Sequence, residues 1–101
     1  MDYDVKYINI VKNKLIELSE NTTAVIFLFG SRASGTHRQG SDIDVGFENL
    51  EKDEFRKLSV QFEIFWEESI VPNKVDLVYF PEVDKNFAIE AKKDIVVWKA
   101  G

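Results

Sequence analysis

Asp42 and Asp44 lie two residues apart in residues 41–47 (SDIDVGF), and a third aspartate, Asp76, is embedded in residues 74–80 (KVDLVYF). On a strand, residues two apart point the same way with Cα atoms about 6 to 7 Å apart, so the carboxylates of Asp42 and Asp44 can converge on one or two divalent cations. A carboxylate from a neighbouring strand would complete the cluster. Two metals about 3.5 to 4 Å apart can stabilise both the attacking and the leaving oxygen of an in-line displacement at phosphorus. Gly30 and Ser31 precede this pair by about ten residues, at the end of an apolar run. A glycine there lets the backbone turn sharply and approach a ligand, and Ser31 with nearby backbone N–H groups can donate to phosphate oxygens. The loop they open, residues 30–40 (GSRASGTHRQG), holds two arginines and the only histidine and has no acid.

Each feature has a plainer reading. Asp42 and Asp44 would otherwise be a solvated strand entrance, Asp76 the partner of a neighbouring lysine, and Gly30-Ser31 a strand-to-helix turn with Ser31 as its cap. The combination favours the metal and phosphate reading. Two other motifs fail. GSRASGT at residues 30–36 has P-loop glycine spacing, but Thr36 stands where the lysine must be. Asp42-x-Asp44-x-Gly46 starts like a calcium loop, yet its sixth position is Phe47 and its twelfth Asp53.

The elements that must position these residues follow from hydrophobic periodicity. Tyr3, Tyr7, Val11, Leu15 and Leu18 recur at three- and four-residue steps, predicting an amphipathic helix over 3–18. Residues 24–29 (AVIFLF) form a short apolar run without alternation, as in a central strand covered on both faces. In 41–47, Asp42, Asp44 and Gly46 alternate with Ile43, Val45 and Phe47, so the two acids share one face of a strand. Phe55, Leu58, Phe62, Phe65 and Trp66 predict a helix over 52–69, with Asp53 and Glu54 where a helix start favours negative charge. Phe62, Phe65 and Trp66 are read mainly as core. A strand over 74–80 is closed by Pro81, a short helix follows around 87–91, and 95–98 (IVVW) is an edge strand. The expected fold is α+β, a mixed twisted sheet flanked by helices in one domain over residues 1–101.

Composition narrows the function. The 101 residues are 45% apolar and 31% charged, proportions of one compact domain with little room for a separate lid. A net charge of -5 argues against nucleic acid as the main partner, although the 30–40 loop is locally basic. With no cysteine and a single histidine, a Cys/His zinc site and disulfides are both excluded. Any metal would be a hard ion on carboxylates, magnesium or manganese. The first ten residues carry no signal pattern, and no apolar run reaches bilayer length. The expected location is the cytoplasm.

The segment GSRASGTHRQGSDIDVGF resembles the signature of the DNA polymerase β-like nucleotidyltransferase superfamily, and the chain's size resembles its minimal nucleotidyltransferase branch. The close match covers residues 24–47, and Asp76 matches the family's third acid in setting. The resemblance implies a polymerase β-like fold in which Gly30 and Ser31 hold nucleotide phosphates. Asp42 and Asp44 would bind two magnesium ions, and Asp76 would bind the catalytic metal and position the acceptor hydroxyl. Many relatives have a basic residue where Ser34 stands, leaving Arg32, His37 and Arg38 as candidates for the triphosphate contact, with Arg32 and Arg38 assigned to nucleotide binding. The implied activity is transfer of AMP from ATP, or of NMP from another NTP, to a tyrosine of a helical HEPN-type toxin. The chain would then be the antitoxin of a hetero-oligomeric pair. The alternatives are neutralisation by binding alone and transfer to a small molecule such as an aminoglycoside.

Overall fold

The computed structural model describes residues 3–38 and 40–101. Met1, Asp2, Gln39 and the side chain of Tyr3, expected on the first helix's apolar stripe, lie outside the described set. The elements run α1 (Tyr3–Leu18), β1 (Val25–Phe29), α2 (Ser31–Ser34), β2 (Ile43–Glu48), α3 (Lys52–Glu68), β3 (Val75–Tyr79), a 3-10 turn (Phe80–Glu82), α4 (Lys85–Ala91) and β4 (Val96–Ala100). The sheet order is β3-β2-β1-β4. β1 pairs antiparallel with both β2 and β4, whereas β2 and β3 run parallel. This is the mixed sheet expected, with β1 internal and β4 on an edge.

The sheet has two unequal faces. On one, Ile26, Leu28, Ile43, Val45 and Phe47 pack with Val11 and Leu15 of α1 and Leu58 and Phe62 of α3 into the main core. On the other, Phe27 and Phe29 of β1 meet Phe80 in a smaller aromatic cluster, with Ala88 and Ala91 of α4 against it. Phe80 stands edge-on to both rings, at centroid distances of 4.8 and 5.2 Å, an arrangement aromatic quadrupoles favour. Alternation along β2 therefore sends Ile43, Val45 and Phe47 into the main core and Asp44 and Gly46 to the aromatic face.

The long helix α3 starts with a capping box. The Glu51 side chain accepts from the third helical N–H, and Glu54 accepts from the Glu51 N–H. The aromatic surplus of α3 is mostly core. Phe62 is buried, Phe65 and Trp66 are half-buried against the core, and the Trp66 indole N–H donates to the Asn73 carbonyl at 2.9 Å.

Two local expectations are corrected. The glycine-rich segment begins with a helical turn, because the N–H groups of Ala33 and Ser34 both donate to the Gly30 carbonyl at 3.1 Å. Gly30 is its cap residue and Ser31 its first helical residue, so Ser31 is not the N-cap. The second strand starts at Ile43, whose N–H donates to the Lys74 carbonyl at 2.9 Å, and Asp42 sits just before the ladder. Among the described residues, no helix is long and apolar enough to cross a membrane.

Candidate functional site

The chain reverses after β1, so the C-terminal end of β1 lies beside the N-terminal end of β2. The β3 strand, parallel to β2, begins at that same end. Asp44 is directly opposite Phe29 on one side and Asp76 on the other. Adjacent strands lie about 4.8 Å apart, so Asp44 and Asp76 are immediate neighbours on the aromatic face. Asp42, exposed, leads into the same strand, and Lys74 precedes Asp76 by two residues. The three expected acids and the Gly30 turn are thus brought to one end of the sheet.

Gly30 is held against Asp44. Its φ is 76°, in the left-handed region, and a Cβ built on it would lie 2.5 Å from Asp44 Oδ2. Any side chain here meets both backbone strain and a carboxylate. Gly30→Ala is expected to destabilise the fold by about 2 kcal/mol, from the left-handed strain and the displaced carboxylate together. A shift in the urea midpoint at unchanged slope would check this.

The electrostatics at Asp44 are those of concentrated negative charge. Burial raises its carboxyl above the ordinary range, and the charges of Asp76 and Asp42 raise it further, against the opposing pull of Lys74 and Arg32. Lys74 Nζ is 3.5 Å from Asp76 Oδ1, but both side chains are substantially exposed, so this pair contributes little. It is the ion pair of the plainer reading of Asp76, and it coexists with the cluster. As their side chains stand, no three acids or histidines among the described residues form a closed metal cage. The donor set nevertheless fits a hard cation: all oxygen, of one charge and partly open to solvent. The cavity of about 400 Å³ between α3 and β3 lies on the other face of the sheet, and none of the three aspartates lines it.

The basic residues of the loop separate into two groups. Arg38 and His37 are exposed, and His37 Nε2 lies 3.3 Å from Asp4 Oδ2. Arg32 turns inward: its side chain is 2% exposed, and Nη1 donates to Asp4 Oδ2 at 2.5 Å. Its Nε and Nη2 donate to the Ser41 carbonyl at 3.2 and 2.9 Å, and Nε is 3.3 Å from the Asp42 carbonyl. The Arg32 hydrogen bond is the main reason the Asp4 carboxyl is lowered below its ordinary range. A carboxyl so lowered adds stability above the ordinary carboxylate pKa and loses it only as pH falls through the lowered value.

Asp4 and Asn73 were not recognisable as site-forming residues. Asp4 reads as an ordinary acid in the first turn of a helix, and its partner is 28 positions away. Asn73 reads as a helix terminator, yet it is buried and its Nδ2 donates to the Ser41 carbonyl at 3.1 Å. No spacing or periodicity signals either contact.

A family model described as "Nucleotidyltransferase domain" matches residues 8–98. No curated protein matches significantly. Among solved structures, the chain is similar to a toxin-antitoxin with AMP-PNP, at 22% identity and a TM-score of 0.61, over 89% of this chain and 73% of that one. It is also similar to a structure of tri-AMPylated Shewanella oneidensis HEPN toxin in complex with MNT antitoxin, at 18% identity and a TM-score of 0.58, over 92% and 72%. A protein of Sulfolobus solfataricus assigned as a nucleotidyltransferase gives 21% and 0.55, over 92% and 79%. At these identities the likeness to the solved structures is one of fold.

Proposed function

The chain belongs to the nucleotidyltransferase domain family, and on that premise we propose that it transfers AMP from ATP to a tyrosine hydroxyl of a HEPN-type toxin, whose antitoxin it is. The observation that carries this reading is the register of Asp44 against Asp76, with the Gly30 turn closed onto the Asp44 carboxylate. Carboxylates and a phosphate-turn at one sheet end suit in-line displacement at phosphorus. The choice of acceptor is supported by the similar structures, described as holding AMP-PNP and an AMPylated HEPN toxin.

In this mechanism Gly30 and Ser31 hold the triphosphate through backbone N–H groups and the Ser31 hydroxyl, with Arg38 as the outer cation. Asp42, Asp44 and Asp76 are the ligands for magnesium, which when bound neutralises phosphate charge and so favours attack by an anionic or strongly polarised oxygen. Asp76, half-exposed at the start of an edge strand, orients the acceptor hydroxyl and takes its proton. The acceptor oxygen bonds to the α-phosphorus, the bond from that phosphorus to the bridging oxygen breaks, and pyrophosphate leaves.

Incubation of the chain with magnesium, its co-expressed toxin and either α- or γ-labelled ATP tests the reading. Label from the α position alone, on a toxin tyrosine, is the expected result. Label from the γ position would replace nucleotidyl by phosphoryl transfer. Absence of label with every NTP, while the toxin is still neutralised, would leave binding alone as the function, and label on an aminoglycoside instead of the toxin would change the acceptor.

A further inference from the structure

Arg32 is basic and sits in the loop expected to hold phosphates, yet its guanidinium is buried and engaged by the Asp4 carboxylate and by backbone carbonyls. It reaches from the first turn of the loop to the loop's far end, donating to the carbonyls of Ser41 and Asp42. The same group is gripped by Asp4 from α1, and His37 in the middle of the loop lies against that carboxylate too. The Ser41 carbonyl is also held from the opposite side by Asn73, at the threshold of β3. Among the described residues, the second half of the loop is also organised by Ser41 N–H donating to the Arg38 carbonyl and Arg38 N–H donating to Ser41 Oγ, both within its own closing turn.

We propose that Arg32, locked by Asp4, is a positioning residue and not a phosphate ligand: it fixes the distance between the Gly30-Ser31 turn and Asp42 by tying both ends of the loop to α1. The inference rests on the nucleotidyltransferase reading and adds to it a part that does not face the nucleotide. It makes an unusual demand of Asp4. Were Arg32 a triphosphate contact, removing the Asp4 charge would free the guanidinium and leave nucleotide binding unchanged or tighter. As an anchor of the clamp, Asp4 must strengthen nucleotide binding despite carrying the same sign of charge as the ligand.

The test compares Asp4→Asn, Arg32→Gln and the double variant, each as the full chain well below its melting temperature. Nucleotide affinity is read with magnesium and a fluorescent non-hydrolysable ATP analogue, and amide hydrogen exchange is followed over residues 36–44. Both single variants are expected to weaken nucleotide binding about tenfold, as loss of a residue that only supports the binding groups commonly does, and to speed exchange in that segment. The double variant should be no worse than Arg32→Gln, because both changes open one clamp. Asp4→Glu should recover part of the loss. Tighter binding in Asp4→Asn, additive losses in the double variant, or faster exchange without any change in affinity would each overturn the proposal. A wild-type chain that binds the analogue but transfers no label would refute the proposed reaction and leave the clamp result standing. A chain that binds no nucleotide at all would overturn both.

Discussion

Asp44→Asn is expected to reduce transfer of α-label to the toxin by at least about a hundredfold, and in metal-free buffer to melt at a higher temperature than the parent chain. The loss of activity follows from the proposed role of Asp44 as a metal ligand, since even groups that only support a bound metal's ligands cost about ten- to a hundredfold when changed. The gain in stability follows from the sign of the Asp44 shift. Burial and two neighbouring carboxylates raise its folded-state pKa, so the folded chain holds this proton more tightly than the unfolded one. Its stabilising contribution is therefore present at low pH and lost as pH rises through the raised value, leaving an unfavourable charge at neutrality. An amide of nearly the same shape removes that charge. Magnesium should reverse the order by raising the melting temperature of the parent chain more than that of the variant, through preferential binding to the folded state. Calorimetry with and without magnesium checks both signs, and a variant that melts lower in metal-free buffer would mean that Asp44 is held by compensating donors.

Gly46→Ala is expected to destabilise the chain by about 3 kcal/mol, near the upper end of overpacking costs, because nothing around the site can yield. A Cβ there would come within 2.4 Å of two carbons of the Phe27 ring and 2.7 Å of Phe80. Phe27 is itself buried and packed edge-on against Phe80, so moving either ring breaks the smaller core. Gly46 is two residues from Asp44 on the same face, so the damage should also reach the acids. Denaturant unfolding would show the midpoint shift. Phe27→Leu in the same background should recover part of it by making room.

Hydrophobic pattern reveals the main elements because burial of one face leaves a repeat, 3.6 residues in α1 and α3 and two in β2, while burial of both faces leaves the unbroken apolar run of β1. The acids were legible for the same reason, since alternation alone puts Asp42 and Asp44 on one side and an acid inside KVDLVYF needs an explanation. The helical turn Ser31–Ser34 was less legible, being too short to show a repeat. The setting of Arg32 is not legible in the sequence: a loop arginine usually faces solvent, and only tertiary structure brings Asp4 and the Ser41 carbonyl to it. Asn73 is not legible in the sequence because its side chain donates across the chain to the Ser41 carbonyl, from a position where Asn also suits a turn. The surplus aromatics of α3 were read correctly as core because burying such rings in the main core contributes more than exposing them.

The contact between Gly30 and the Asp44 carboxylate also makes the two positions historically dependent on each other. While an acid occupies position 44, selection sees every side chain at position 30 as both a steric and a functional defect. Once Asp44 is replaced by a small residue, the steric part of that penalty disappears, and only the backbone preference at Gly30 remains. In a paired mutational library, substitutions at position 30 should therefore be tolerated better, for folding though not for activity, in backgrounds already truncated at position 44. Descendants of this chain that abandoned catalysis would be expected to lose the aspartate first and the glycine afterwards, so that a retained glycine beside a missing acid marks a recent loss.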